Sequence, residues 1–195
     1  MALRRIYLSE TWRISLTGLG AILVFSSCTM ILSTNVPGKT ETSLPKEWLG
    51  KYEVMSEARM PDRKDSTKAE KEFATIESNR ITWESTDGIK VFSLGDSLRY
   101  SVIYGQSRYL SLLMPQGLYA VFKVEKKDGT LELYSLSSDD EEIRKSDLNE
   151  YFDNIEKMKE NEQQYYKVTI VDKKLDAYFK SKVPSGEVTK LVPVR

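Results

Sequence analysis

The sequence predicts a mainly β domain, α+β in character at its C-terminus: an antiparallel meander curled into a small barrel, with one or two C-terminal helices. Three observations predict it. Residues 98–136 are rich in Tyr, Val, Leu, Ile and Phe alternating with polar residues, and a period of two marks strands with one wet and one buried face. Turn residues at Gly105-Gln106-Ser107, Pro115-Gln116-Gly117 and Asp128-Gly129 break that stretch at short intervals. From Ser138 onward the apolar period becomes helical.

The folded part opens at Trp48-Leu49-Gly50-Lys51-Tyr52-Glu53-Val54, where Trp48, Gly50, Tyr52 and Val54 share one strand face. A Trp followed by Gly and then an aromatic residue resembles the first strand of small lipocalin-like barrels, and that resemblance implies a Trp that plugs one barrel end. Residues 56–71 are strongly charged and read as a solvated loop. Glu72–Glu77 and Ile81–Glu84 predict a hairpin with Phe73, Thr75, Ile81 and Trp83 pointing inward. Asp87-Gly88 predicts a type I′ turn, whose two central residues need positive φ. Ile89–Leu94 is the next strand. In the meander, Leu98, Tyr100, Val102 and Tyr104 share a face, as do Leu110, Leu112 and Met114, then Leu118, Ala120, Phe122 and Val124. About eight antiparallel strands follow from Trp48, enough to close a small barrel and remove its edges.

Ser138 with Glu141 has the pattern of a capping box. Leu148, Tyr151, Phe152, Ile155 and Met158 recur at helical spacing and predict a helix over 148–158. Tyr165–Val171 reads as a strand. Leu175, Tyr178 and Phe179 mark a short amphipathic helix. Val188–Val194 is a last extended piece that Pro193 assigns to an edge.

The first residues carry a different signal. Arg4, Arg5 and Arg13 precede an uncharged apolar run from Ile14 to Phe25, and Ser26-Ser27 leads into Cys28. That is the order of a secretory signal peptide. The small pair followed by Cys resembles the lipobox of bacterial lipoproteins. The resemblance implies cleavage before Cys28, acylation of its thiol, and export to the outer membrane, facing the periplasm, because Thr29 follows the Cys. Two alternatives stand beside it: an uncleaved membrane-spanning helix over Ile14–Leu32, and an ordinary cleaved signal. The expected organisation is therefore a signal peptide (1–27), a lipidated N-terminus with a flexible Ser/Thr/Pro/Gly-rich tether (28–46) and one β-rich domain (47–195).

Composition excludes several functions. Basic and acidic residues balance at 29 each, so no basic excess points to nucleic acid. There is no His, the commonest general base and transition-metal ligand. A single Cys allows no intrachain disulfide. Asp139-Asp140-Glu141-Glu142 lacks the Gly turn of a calcium loop and suits a helix N-terminus better. No phosphate loop, catalytic motif or cofactor signature is present, so no cofactor and no enzymatic activity are expected. The candidate site residues are Cys28 for lipid attachment, and Trp48, Tyr52, Trp83, Tyr100 and Tyr104 as the lining of a pocket for a small apolar or amphipathic ligand. Tyr165-Tyr166 is a further candidate for such a lining. The alternative partner is another envelope protein, and a hydrolase using paired carboxylates ranks last.

Overall fold

Alternate residues of the stretch from Tyr119 to Lys127 face opposite ways, and both sides of that stretch are apolar. Ala120, Phe122 and Val124 are buried on one side, and Val121 is buried on the other. A computed structural model describes residues 29–56, 71–138, 145–160, 163–181 and 188–194. It is mostly β. The strands are β1 (Thr29–Ser33), β2 (Lys39–Glu41), β3 (Gly50–Ser56), β4 (Glu72–Glu77), β5 (Arg80–Ser85), β6 (Gly88–Ser93) and β7 (Leu98–Ile103). They continue as β8 (Ser107–Leu113), β9 (Tyr119–Lys127), β10 (Thr130–Ser135), β11 (Ser137–Ser138), β12 (Phe152–Glu160), β13 (Gln163–Ile170) and β14 (Val188–Pro193). Helix α1 (Lys145–Leu148) is one turn; α2 (Asp172–Ser181) is the longer helix.

All strands join one sheet, in the order β12-β13-β1-β9-β10-β14-β3-β4-β5-β6, and β8, β7 and β2 continue from the other side of β9. The pairings are antiparallel except β1 with β13. Strand β9 is the fork. One edge pairs with β8 over Tyr119–Val124. Its other edge pairs first with β10 and then, at Ala120 and Tyr119, with β1. The sheet curls into a half-barrel, consistent with the lipocalin-like expectation. Its concave side gathers Leu98 and Tyr100 of β7, Leu110 of β8, Val124 of β9, Leu131 of β10, Leu191 of β14 and Tyr52 of β3 into one core. The opposite side of β8, β9, β1, β13 and β12 is covered by α2, whose Leu175, Tyr178 and Phe179 pack on Tyr109, Val121, Ile31 and Val168.

The turn at Asp128-Gly129 is a two-residue hairpin loop with φ of 50° and 85°, the left-handed pair a type I′ turn requires. At Asp87-Gly88 the structure differs from the type I′ expectation. The loop is Thr86-Asp87, Ser85 pairs with Gly88, and of these residues Gly88 has positive φ.

Five further expectations are corrected. Residues 28–46 are not a tether over their described part. Ile31, Leu32 and Ser33 are buried in β1, between β13 and β9. Asn35 then extends the ladder with its side chain, giving Nδ2–H to the Ile170 carbonyl (3.1 Å) and accepting the Ile170 N–H at Oδ1 (2.8 Å). A side-chain amide carries the same donor and acceptor as a peptide, so composition does not reveal this role. Gly38 has φ 62°, and a Cβ there would sit 2.4 Å from the Val102 carbonyl oxygen, which is why a Gly-containing stretch lies against β7. The same burial removes Ile31 and Leu32 from the alternative membrane helix over Ile14–Leu32. Residues 1–28, with Cys28, lie outside the described residues, as does the 139–142 acidic cluster.

The predicted helix over 148–158 is a short turn followed by β12. The apolar spacing that suggested it comes from a β-bulge: the β12–β13 register shifts between Asp153 and Glu156, with Asn154 at φ 49°. The extra residue brings Phe152 and Ile155, three apart, to the same side against α2. Met158 falls on the other side, with Tyr165 and Leu32. In the β4–β5 hairpin, Ala74 and Ile76 face inward with Trp83 and Ile81; Phe73 and Thr75 take the opposite face. Strand β14 is not an edge: it lies between β10 and β3. Pro193 is its last residue, where a missing N–H costs little. The eight strands expected from Trp48 through the meander are β3–β10, with β13 and β14 expected after them; the sheet, finally, is wider than these because β1, β2, β11 and β12 also join it.

The bulge gives a sharp expectation. Asn154→Gly leaves stability unchanged or raises it, because Gly adopts positive φ freely, whereas Asn154→Ile lowers it by roughly 1–2 kcal/mol. Urea denaturation of the two variants checks this; a helix at this position would give the reverse order.

Candidate functional site

The concave core contains four of the five predicted lining residues. A single 3₁₀ turn at Lys46–Trp48, entered from Pro45, delivers the first of them. The Trp48 N–H bonds the Pro45 carbonyl (3.0 Å) and the Leu49 N–H that of Lys46 (3.2 Å). This swings the Trp48 ring into the half-barrel, where it is 1% exposed. It meets Tyr100 edge to face, 5.3 Å between centroids at 66°, a favoured aromatic geometry. Tyr52 is tied to the same turn: its hydroxyl donates to the Trp48 carbonyl at 2.8 Å. Trp83 packs in the same core, and its indole N–H donates to Glu72 Oε2 at 3.0 Å. Tyr104 does not join them. It sits on the β7–β8 turn with φ 50° and is 68% exposed. Leu98, Tyr100 and Val102 keep strand alternation only as far as Ile103, so the face they share ends before Tyr104. Tyr165 and Tyr166 part company, Tyr165 going to the concave side and Tyr166 to the helix side.

Charged groups close over the Trp48 turn. The Arg108 guanidinium lies 5.7 Å from the Trp48 ring centroid and donates to Glu47 Oε1 at 2.7 Å; Lys126 Nζ donates to the Glu47 carbonyl. The bond from its own backbone N–H, and then Arg108, hold the Glu47 carboxyl below the usual carboxylate range. Burial pushes the Tyr52 and Tyr100 phenols up. Among the described residues the Trp48 indole N–H has no hydrogen-bond partner.

No family model, curated protein or solved structure matches this chain.

Trp48, Tyr52, Trp83 and Tyr100 pack with Leu98, Leu110 and Leu131 in this concave core. A small pocket at the β9 fork, lined by Met30, Ala120, Phe122 and Leu136 among others, has room for about one water molecule. That is below the usual ligand-pocket range of roughly 300–1,000 Å³. Among the described residues no group of three or more His, Cys, Asp or Glu is placed to hold a metal ion.

A second polar cluster lies on the helix side. Tyr109, fully buried, donates its hydroxyl to Asp176 Oδ1 at 2.6 Å. Ser107 Oγ donates to Asp176 Oδ2 at 2.8 Å, and the Gly38 N–H donates to Asp172 Oδ1 at 3.0 Å. Both Asp176 oxygens accept a hydrogen bond, so this carboxylate pins α2 to β8. Sequence reasoning missed Asp172 and Asp176, although their i, i+4 spacing beside Leu175 and Phe179 was a signal that they flank the buried stripe. It also missed Arg108 and Glu47, which lie far apart in the chain and carry no local pattern.

Burial first, then the Asp176 hydrogen bond and charge, push the Tyr109 phenol far above its ordinary value. Such a group stabilises fully below the unfolded-state pKa of about 10, and that contribution is lost as pH rises above it, because the unfolded chain ionises first. Stability therefore falls from about pH 10 upward. Tyr109→Phe makes that fall shallower, at a cost near pH 7 of roughly 1.5–3 kcal/mol for the lost bond to a carboxylate. Urea titrations at pH 7.5, 10 and 11 read both effects.

Proposed function

We propose that this chain is a membrane-anchored, non-catalytic interaction module of a bacterial cell envelope, held through an acylated Cys28 on the outer membrane, facing the periplasm, and engaging another envelope protein. The observation that carries the interaction reading is the packing of Trp48, Tyr52, Trp83 and Tyr100 against one another and their neighbours. Binding capacity then lies on the surface of the sheet. The anchor reading rests on the Arg-rich start, the apolar run and Ser26-Ser27-Cys28. A chain cleaved before Cys28 keeps every described strand. Among the described residues no helix is long and apolar enough to cross a membrane.

More than one acyl chain suffices for stable attachment, at about 0.8 kcal/mol per buried CH₂. One observation favours a second reading, a small-molecule carrier: the unpartnered Trp48 N–H is a donor in the half-barrel core, and an occupant with an acceptor group would satisfy it.

Intact mass of the protein extracted from membranes tests the anchor. The expected mass is that of residues 28–195 plus acyl chains, and Cys28→Ser is expected to lose the acyl increment. An unmodified full-length mass would overturn the anchor. Native mass spectrometry of the same material is expected to show no bound small molecule; a retained species that disappears in Trp48→Phe would favour the carrier.

A further inference from the structure

Among the described residues, four strands have a neighbour on one side of the sheet only: β6, β12, β2 and β11. Exposed edges invite other strands, and proteins blunt them with shortness, charge and bulges. Strand β2 is three residues long, Lys-Thr-Glu, and β11 is two. Strand β12 carries the bulge and exposes Asp153, Glu156, Lys157 and Lys159. Strand β6 is different. It is six residues long and presents Ile89, 71% exposed, and Val91, 52% exposed, on its outer face.

Its backbone is open as well. The Ser93 N–H points away from β5 and is taken by the Ser97 hydroxyl at 3.1 Å. By the alternation of an antiparallel ladder, Ile89 and Val91 direct their N–H and C=O groups to the same free side. Between them Lys90 faces the concave side, paired in register with Trp83 of β5. Trp83 is committed to Glu72, and among the described residues Lys90 has no ion pair. So the free edge offers two apolar side chains outward, a cation inward and an unpaired backbone between.

A second copy of β6 suits this edge poorly. The antiparallel register that sets Ile89 against Val91 of another copy places two Lys90 side chains directly opposite each other, and like charges there are destabilising. We propose that β6 is the docking edge for an extended segment of a partner protein that adds as an antiparallel strand, with an acidic residue opposite Lys90 and apolar residues opposite Ile89 and Val91. The inference rests on the interaction-module reading and specifies its partner. Lys90 then has two effects. It deters indiscriminate strands and selects the one that brings a carboxylate, which is specificity by repulsion as well as attraction. Main-chain bonds supply affinity and the alternate side chains supply selection.

The probes are two blocked peptides, acetyl-Thr-Val-Glu-Val-Thr-amide and the same peptide with Lys for Glu, titrated into the full-length protein in detergent. Tryptophan fluorescence reports binding because Lys90 pairs with Trp83. The Glu peptide is expected to bind roughly ten-fold more tightly than the Lys peptide. Lys90→Glu is expected to reverse the order and Lys90→Met to abolish it, with unchanged circular dichroism in both. Equal binding of the two peptides, no binding of either, or a concentration-dependent dimer that Lys90→Glu leaves intact would each overturn the proposal. A photo-crosslinking residue at position 89 or at exposed Leu113, used in intact membranes, separates the levels. Adducts at 113 but not 89 sink the β6 edge alone; adducts at neither sink the interaction reading itself.

Discussion

Burial of β9 on both faces is the constraint on which the rest of the structure depends. A strand with one wet face needs a single apolar layer; β9 needs two. The concave core supplies one through Ala120, Phe122 and Val124, and α2 with its surrounding strands supplies the other over Val121. Because β9 also exhausts both backbone edges, with β10 and β1 sharing one of them, it joins the half-barrel to the β1-β13-β12 wing. Neither part has a complete hydrophobic layer without it. Close packing also leaves small side chains where elements approach: among the described residues the buried Ser101 and Ser111 hydroxyls have no hydrogen-bond partner, and Gly38 lies against the Val102 carbonyl.

The two polar clusters serve this arrangement from opposite sides. On the helix side, Tyr109 and Ser107 bond both oxygens of the Asp176 carboxylate and fix the helix relative to β8. On the concave side, Arg108, one residue away on the same strand, lies over Trp48 and pairs with Glu47. Strand β8 thus projects alternate residues into two different fastenings. Hydrogen bonds to charged groups inside such contacts are worth more than exposed ion pairs, so the helix-side fastening is the stronger of the two.

How much of this was legible in the sequence depended on whether a signal was local. The meander was legible: β7 to β10 fall where alternation and turn residues put them, and the concave face includes Tyr100, Leu110 and Val124 as read. The α2 stripe was legible for the same reason. The helix over 148–158 failed because one extra residue in a strand imitates a helical interval, so Phe152 and Ile155 share a side while three apart. The tether failed because a polar composition says nothing about a side chain such as Asn35 that acts as a stretch of backbone. For the site, Trp48, Tyr52, Trp83 and Tyr100, grouped as candidate ligand lining, share one core, and their mutual packing depends on the curl of the sheet. Tyr104 lay one step past the end of its strand, and Arg108 with Glu47, 61 positions apart, meet only once the chain has folded.

The parallel pairing of β1 with β13 has a consequence in time. Met30 lies opposite Tyr165, and Ile31 opposite Tyr166, so the first strand is flanked by one of the last. Closing so long a loop is slow, and topologies dominated by distant contacts fold late. A chain emerging N-terminus first carries an apolar Met-Ile-Leu segment that has no neighbour until most of the sequence has followed it. Folding is therefore gated by completion of the chain, and the incomplete chain must be shielded from aggregation until the C-terminal quarter arrives.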